Sequence, residues 1–347
     1  MKPMLCKSIL LVSHELTYTG APRSLLNMAD VLRELGWQVD IWTCKRGEFQ
    51  EEFNKKGYRV DFIDFGNKQW LYRLKRYQVV IFNTVFTASL CFRAQYIIRS
   101  ILFIREAGNM PQLVQDCGID KEALKNIREI FCVSNYAKRM IRLQCHSSNI
   151  RVIHNWVKDE SFHRMNWVND SMIHYLVSGT VEYRKGIDIA VQAFQNMPEI
   201  LHDITRLHIV GRVPKWSYEY WEQVVPKNDK RIIFHGEIQN EQERMELYKM
   251  MNVFVIPSRD EACSLVALEG AMLGKVVIMS RNVGAQYILE DNSECLYETE
   301  NISQLTRKMS QFTSRRKLLE GGLMMRKRYL ETSTKRIYKK NLKEYIT

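Results

Sequence analysis

The stretch VFVIPSRDEACSLVALEGAMLGKVVI, residues 253–278, contains the pattern on which the fold prediction depends. It begins with the apolar run VFVIPS (253–258) and leads into a second one, VVIMS (276–280), and both runs have the length and composition of buried strands. Residues 265–273 lie between them, carry a single charge and have the length of a buried helix. A strand, a helix and a strand in this order predict a parallel sheet.

Similar apolar runs recur along the chain and are bounded by turn residues. They are SILLV (8–12), QVDIWT (38–43), VDFIDF (60–65), VVIFN (79–83), ILFI (101–104), IFCVS (130–134), HYLVSG (174–179), LHIVG (207–211) and IIFHG (232–236). Helix-period stretches lie between several of them, at 22–35 and near 186–196, 217–225 and 240–250. We therefore predict an α/β fold of two doubly wound, Rossmann-like domains that face each other across a cleft.

The polar segment 156–172 separates the two series of strands and is the predicted hinge. This hinge divides the chain into a predicted first domain, residues 1–160, and a predicted second domain, residues 172–325. Residues 326–347 are predicted to form a basic helical tail that packs back on the first domain. A length of 347 residues fits two domains of ordinary size.

Composition narrows the class of protein further. No apolar run reaches the roughly 18 residues that span a bilayer, since YIIRSILFIRE (96–106) is interrupted by Arg99 and Arg105. The eight cysteines include no C-x-x-C pair, which indicates reduced thiols in a cytoplasmic protein that is not secreted. Residues 301–347 hold thirteen Lys or Arg against three Glu, an excess that suits solvated helices or an anionic partner.

Two glutamates stand out in the opening stretch. Glu269 lies in the middle of the apolar helix, where an unpartnered carboxylate costs several kcal/mol, and Glu261 lies in the loop before it. Carboxylates accept hydrogen bonds, which suits a ribose diol for one and sugar hydroxyls for the other. With Ser264 as the helix cap, the N–H groups of Ser264, Leu265 and Val266 favour a diphosphate between them. This pattern describes a site for a nucleotide sugar.

Two alternatives remain at this point. Glu269 can instead cap a neighbouring loop or pair with an arginine, and Glu261 can be a surface residue. The loop VSGTVEYRKG adds Arg184 and Lys185, two cations that can reach a diphosphate. The chain has neither G-x-G-x-x-G nor a P-loop, and its first strand-to-helix loop offers only Gly20.

Several blocks of the sequence, taken together and in their order along the chain, are similar to one known family. They are GAPRSLLNMADVLRELG (20–36), CVSNYAKRMI (132–141), RVIHNWV (151–157), SGTVEYRKG (178–186), LHIVG (207–211), FHGEI (234–238), the opening stretch and NVGAQYILEDN (282–292). The chain resembles the family 4 retaining glycosyltransferases of the GT-B fold over roughly residues 8–300. The block at 253–278 is specific, and the other blocks gain weight from their order and spacing.

The resemblance implies an amino-terminal domain for the acceptor and a carboxy-terminal domain for the nucleotide-sugar donor. It implies that Glu269 binds the ribose, that Glu261 lies beside the transferred sugar and that Lys185 contacts the diphosphate. Catalysis would fall to Glu261, Lys185 and Arg184, and donor binding to Glu269, Ser264, Leu265, Val266, Gly20, Glu237 and Gly179. Such enzymes retain the anomeric configuration, and we expect neither a cofactor nor a metal ion.

Three positions depart from the pattern of the family. Thr180 stands where many relatives have an arginine, and Ser264 replaces a glycine. Arg105 and Glu106 occupy the end of a strand where many relatives have a histidine, so that His14 can serve instead. We take His14, Arg105 and Glu106 as candidates on the acceptor side.

The predicted acceptor is a glycan or a polyprenyl-diphosphate-linked glycan in surface polysaccharide synthesis. KQWLYRLKRYQ (68–78) mixes Trp70, Leu71, Tyr72 and Leu74 with cations, which is typical of an interfacial helix or of a plain surface helix. We expect a peripheral enzyme at an anionic inner membrane face and no nucleic-acid partner. The alternatives are a sugar-nucleotide epimerase or phosphorylase of the same fold, and a non-catalytic binder of glycan or nucleic acid.

Overall fold

A computed structural model describes residues 7–160, 172–226, 228–289 and 293–346. The chain divides into two compact units. Unit 1 comprises the described residues up to Asn155 together with those from Lys335 onward, and unit 2 comprises those from Trp156 to Thr334.

Unit 1 is built on a seven-stranded parallel sheet. Its strands are β1 (Ser8–Ser13), β2 (Gln38–Thr43), β3 (Val60–Phe62), β4 (Val79–Asn83), β5 (Arg99–Ile104), β6 (Glu129–Cys132) and β7 (Asn149–Val152). Its first helices are α1 (Gly20–Glu34), α2 (Gln50–Lys55), α3 (Gln69–Arg73), α4 (Ala88–Ala94), α5 (Met110–Asp116), α6 (Lys121–Lys125) and α7 (Asn135–Arg142). The strand order is β3-β2-β1-β4-β5-β6-β7, so the chain reverses direction across the sheet after β3.

Unit 2 is built on a six-stranded parallel sheet. Its strands are β8 (Ile173–Ser178), β9 (Thr205–Val210), β10 (Ile232–Phe234), β11 (Val253–Ile256), β12 (Val276–Ser280) and β13 (Leu296–Tyr297). Its helices are α8 (Ile187–Gln195), α9 (Tyr218–Val224), α10 (Glu241–Met250), α11 (Leu265–Met272), α12 (Ile302–Gln311) and α13 (Arg315–Thr332). The order β10-β9-β8-β11-β12-β13 repeats the reversal, and β8 and β11 are the central pair.

The last described helix, α14 (Lys335–Ile346), belongs to unit 1. Its buried face consists of Tyr338, Leu342 and Ile346, one residue per turn of the helix. Lys335 and Lys339 pair with Glu34 at the end of α1. The helix therefore completes the core of unit 1 from a distant part of the sequence.

The predicted α/β class with two parallel sheets is confirmed, and most predicted strands lie within two residues of the observed ones. The domain limits differ in detail. Helix α13 continues through residue 326, so the segment that joins unit 1 begins only at Lys335. Of the predicted hinge 156–172, residues 161–171 lie outside the described residues. Val157 belongs to unit 2, where its carbonyl accepts a hydrogen bond from the Tyr329 hydroxyl at 3.0 Å.

The segment 68–78 does not present the apolar face of an interfacial helix. Trp70 and Leu74 are buried in unit 1, and only Tyr72 of its large apolar side chains is widely exposed, at 75%. Its helical part is also short, since α3 covers five residues and is followed only by a 3-10 turn, Leu74–Arg76. Of the two alternatives for this segment, the structure thus favours the plain surface helix.

Candidate active site

The candidate donor site of unit 2 lies where β8 and β11 end. Gly179, Lys185 and Ser264 line one small cavity at these carboxyl ends, the usual place for a ligand in an open parallel sheet. Lys185 is positioned by the glycine after it. Gly186 has a left-handed backbone with φ of 67°, and a Cβ there would lie 2.1 Å from the carbonyl oxygen of Pro257. Only glycine allows this close approach of the two loops.

Lys185, Arg184 and Glu261 form one charged cluster in this site. The ammonium group of Lys185 donates a short hydrogen bond to the carboxylate of Glu261. Nη1 of Arg184 lies 3.6 Å from the same carboxylate oxygen and donates to the Asp260 carbonyl at 2.9 Å. Nη2 of Arg184 pairs with Glu182 at 2.6 Å. The sequence prediction thus names three residues that the fold brings together.

Glu261 is held from both sides by backbone hydrogen bonds. Its N–H donates to the Asn282 carbonyl at 3.0 Å, and its own carbonyl accepts from the N–H of Gly284 at 2.8 Å. Burial alone would raise the pKa of the Glu261 carboxyl, but Lys185 and Arg184 outweigh it and hold this pKa below its usual value. The carboxylate is therefore ionised and fixed, and the alternative of a free surface residue is wrong.

Helix α11 begins as the sequence predicts. The Ser264 hydroxyl accepts a hydrogen bond from the N–H of Ala267 at 3.3 Å, which is the N-cap contact. Within the described part of the chain, no residue accepts from the N–H groups of Ser264, Leu265 and Val266. These donors and the positive end of the helix dipole favour an anionic group at this helix end.

Glu269 already has a basic partner in unit 2. Its Oε1 accepts a hydrogen bond from Nη2 of Arg244 on α10 at 3.2 Å, and both side chains are about nine-tenths buried. Pairing with an arginine was one of the two alternatives for this carboxylate, and the structure shows that pairing. A ligand is therefore not needed to compensate the buried charge. A carboxylate has about four acceptor positions, so one arginine does not exhaust its capacity to bind a diol.

The other donor-side candidates of unit 2 follow the ends of two strands, β8 and β10, which β9 separates in the sheet. Gly179 follows β8, and its N–H donates to the Val210 carbonyl at 2.9 Å. Glu237 is exposed beyond the end of β10, after a turn at Gly236 with φ of 71°. Gly179 lies beside the Lys185 side chain, since a Cβ there would be 3.6 Å from Cε of Lys185. The donor-binding roles of Gly179 and Glu237 stay predictions.

Unit 1 gathers its candidates at the carboxyl ends of β1, β4 and β5. Nδ1 of His14 lies 3.0 Å from the Thr84 hydroxyl, and the His14 ring stacks on Phe86 with centroids 4.7 Å apart. Thr84 is one of two described non-glycine residues with positive φ, at 80°. Burial lowers the pKa of His14. Gly20 is the first residue of α1, and a Cβ there would meet no atom within 4 Å, so packing does not require a glycine at this position.

Arg105 and Glu106 follow β5 and have distinct roles. The guanidinium of Arg105 donates to Asn83 at 2.9 Å and to Asn155 at 2.8 Å. The Glu106 carboxylate turns inward and accepts from the backbone N–H groups of Val85 at 3.1 Å and of Arg105 at 3.0 Å. Glu106 thus holds the strained turn that presents Thr84 to His14. In this position Glu106 has a structural role, and its role on the acceptor side stays a prediction.

Glu106 should make the stability of unit 1 depend on pH. Burial raises the pKa of its carboxyl from 4.5 to about 7, although the backbone donors and Arg105 favour the ionised form. A raised folded-state pKa gives stability that is present below pH 4.5 and is lost as pH rises through about 7. We expect unfolding by urea to show that wild type loses on the order of 3 kcal/mol between pH 5 and 8 relative to Glu106→Gln.

The comparison of wild type with Glu106→Gln removes the contributions of groups that titrate in both proteins, such as His14. Parallel curves of unfolding free energy against pH for the two proteins would show that Glu106 titrates normally and that this prediction is wrong.

The arrangement in unit 2 suits the stabilisation of a leaving anion. Two cations and a helix end surround the same strand ends, and one carboxylate lies against both cations. Within the described ranges, no group of three or more His, Cys, Asp or Glu side chains could hold a metal ion. The chemistry that these residues can supply is electrostatic, since fixed charges interact with a group that becomes more negative.

Sequence reasoning missed Arg244, the partner of Glu269. Arg244, Met245 and Tyr248 share one buried face of α10, and this i, i+1, i+4 spacing placed a cation among core positions. That spacing was a usable signal. Sequence reasoning also missed Tyr338 of α14, which interacts with Arg105. No local pattern could have revealed this contact, because the two residues are far apart in the sequence.

Comparison with known proteins identifies the class. The fold is that of GT-B glycosyltransferases: a glycosyltransferase from Rickettsia africae superposes with a TM-score of 0.81 at 17% identity, over 98% of each chain. HepE of Anabaena, solved in complex with UDP, superposes with a TM-score of 0.82 at 13% identity, over 98% of this chain and 99% of that one. The same protein was also solved with UDP-glucose.

Sequence comparison gives the family. The family described as glycosyl transferases group 1 matches residues 173–315, and that described as glycosyl-transferase family 4 matches residues 5–97. These two ranges together span more than half of the chain, and the chain belongs to the family 4 glycosyltransferases. It is also similar to alpha-galactosylglucosyldiacylglycerol synthase of Streptococcus pneumoniae, with 29% identity over 126 residues, which are 36% of this chain and 33% of that relative.

None of the helices in the described residues is both long enough and apolar enough to cross a bilayer.

Proposed function

We propose that this chain transfers a sugar from a nucleotide-sugar donor to a glycan or polyprenyl-diphosphate-linked acceptor, with retention of the anomeric configuration. The observation that carries the proposal is the cluster of Lys185, Arg184 and Glu261 beside the open amino end of α11. Those two cations and the helix end would receive the diphosphate as it leaves. Glu261 would lie beside the sugar ring and keep the cations oriented.

In this proposal the protein supplies the charge stabilisation without a metal ion. Lys185 is a compact charge that can turn from Glu261 to a phosphate, whereas Arg184 is fixed by the Asp260 carbonyl and Glu182. Because HepE was solved with UDP and with UDP-glucose, a uridine donor is the first to test. We further propose that the enzyme acts in the cytoplasm on surface polysaccharide precursors.

The direct test is a screen of nucleotide sugars for thermal stabilisation, followed by product analysis. A bound donor raises the melting temperature by mass action. Nuclear magnetic resonance of the product then gives the anomeric configuration, and incubation with donor alone distinguishes an epimerase, which needs no acceptor. An inverted product would contradict the retaining mechanism, and failure of every nucleotide sugar to bind would contradict the function.

The ribose contact of Glu269 has its own test by calorimetry with UDP. A hydrogen bond to a charged group contributes about 1.5–3 kcal/mol, so Glu269→Gln should weaken UDP binding by roughly 10- to 100-fold. We prefer glutamine to alanine because it fills the same space beside Arg244. Unchanged affinity in Glu269→Gln would show that the carboxylate serves Arg244 alone.

A further inference from the structure

One edge of unit 1 combines exposed apolar side chains with cations. The loops before β5, β6 and β7 meet there, at the amino ends of the strands. We call this the amino-edge surface and define it by Tyr96, Ile97, Lys121, Arg128, Arg142 and Leu143.

Hydrogen bonds join the three loops into one surface. The Gln95 side chain donates to the Asn126 carbonyl at 3.0 Å and accepts from the N–H of Arg128 at 2.9 Å. The Ser147 hydroxyl donates to the Arg128 carbonyl at 2.9 Å, and the N–H of His146 donates to the Lys125 carbonyl at 3.0 Å. The apolar residues beside these contacts are therefore presented together rather than on separate loops.

Three large apolar side chains of this surface are open to solvent. Leu143 is 74% exposed, Tyr96 is 62% exposed and Ile97 is 42% exposed. The guanidinium of Arg128 lies 4.8 Å from the centre of the Tyr96 ring and so keeps the ring in place. Leu143 follows directly after α7 and borders a cavity of about 320 Å³.

Cations line the same cavity and its rim. Lys121, Lys125 and Arg142 border it, and Arg128 lies on the adjoining loop. Glu122 pairs with Lys125 at 2.6 Å, and Asp120 is exposed beside Lys121, so four cations face two carboxylates. Lys121 and Arg142 form no ion pair with any described residue. Arg99 donates to the Ile346 carbonyl at 3.0 Å and so joins the end of α14 to this edge. That end adds one cation, Lys343, and one carboxylate, Glu344, so the excess of two cations is unchanged.

We propose that the amino-edge surface docks on a membrane that contains anionic lipid, with Leu143 and Tyr96 at the headgroup boundary and Lys121, Arg128 and Arg142 near the lipid phosphates. Charge complementarity selects this occupant, because cations around exposed apolar side chains match an anionic interface. The inference goes beyond the proposed function, because this surface lies at the edge of the sheet opposite to the acceptor-side candidates. It does not depend on donor chemistry.

The test is cosedimentation of the full chain with vesicles in the absence of donor and acceptor. We expect binding to phosphatidylcholine vesicles with roughly one-third phosphatidylglycerol, and no binding to phosphatidylcholine alone. Each basic residue contributes about 1 kcal/mol, which is a factor of about five, so Lys121→Gln/Arg142→Gln should bind about 25-fold more weakly. Leu143→Ser should bind severalfold more weakly at unchanged net charge.

A matched control removes two exposed cations from the opposite edge of the same sheet. Lys45 and Arg46 follow β2 and are exposed. The variant Lys45→Gln/Arg46→Gln has the same net charge as Lys121→Gln/Arg142→Gln and should bind the vesicles as wild type does. Equal weakening in both double variants would mean that net charge alone drives binding, and would overturn the proposal. The proposal would also be overturned if Leu143→Ser bound the vesicles as tightly as wild type. The same holds if only Lys75→Gln/Arg76→Gln, in the segment 68–78, lost vesicle binding. Because no sugar transfer is measured, failure here leaves the proposed transferase function standing, and absence of donor binding leaves this docking result standing.

Discussion

Replacement of Lys185 by alanine should lower kcat for sugar transfer by about 100- to 1,000-fold, the usual effect of removing one fixed stabiliser of a developing anion. Lys185 pairs with Glu261, so its charge is held in the site by the protein itself. As the bond to the diphosphate breaks, the leaving oxygens gain charge beside this ammonium group. Steady-state kinetics with the donor identified by the thermal screen measures the effect.

Lys317→Ala is the matched control, since Lys317 is an exposed lysine of α13 in the same unit. It should leave kcat within experimental error of wild type. Circular dichroism should show that Lys185→Ala is folded. If Lys185→Ala retained kcat within threefold of wild type, Lys185 would be a structural partner of Glu261 and the assignment of the leaving-group site would fail.

Arg244→Met should destabilise unit 2 by about 3–5 kcal/mol, the usual effect of removing one partner of a buried ion pair. Arg244 and Glu269 are both nearly sealed from solvent, so the variant leaves a buried carboxylate without its cation. For a unit of this size the loss corresponds to a decrease in Tm of roughly 10 °C. Calorimetric or urea-induced unfolding measures it.

The double variant Arg244→Met/Glu269→Leu separates stability from donor binding. Apolar residues of similar volume often replace a buried pair without loss of stability, so the double variant should regain most of the unfolding free energy. It should still fail to bind UDP with wild-type affinity, because the proposed ribose acceptor is gone. Recovery of UDP binding in the double variant would contradict the donor role of Glu269.

The parts of the fold that were predictable depend on local patterns. Strands such as β11 and β12 are buried on both faces, and their unbroken apolar runs are visible in the sequence. The start of α11 was predictable because a serine before an apolar run favours the N-cap. Lys185 and Glu261 meet because their loops follow the central strands β8 and β11, and strand order alone brings these loops together.

What remained hidden depends on packing between distant segments. Arg244 and Glu269 are 25 residues apart on two helices, and only the approach of α10 to α11 makes them a pair. The segment 68–78 has the mixed apolar and basic composition of an interfacial helix. Composition alone does not distinguish apolar residues that contact lipid from those that pack in the protein core. Trp70 and Leu74 enter the core of the protein instead. The amino-edge surface joins residues 96 to 143, which no periodicity connects.

The position of α14 has a consequence for how the polypeptide matures. Unit 1 takes its sheet from residues before Asn155 and one of its helices from Lys335 onward, with all of unit 2 encoded between them. During synthesis the amino-terminal part leaves the ribosome first, yet Tyr338, Leu342 and Ile346 reach it only after unit 2 has been made. A nascent chain therefore waits with an incomplete hydrophobic surface, and a fragment that stops at residue 155 should be prone to aggregation.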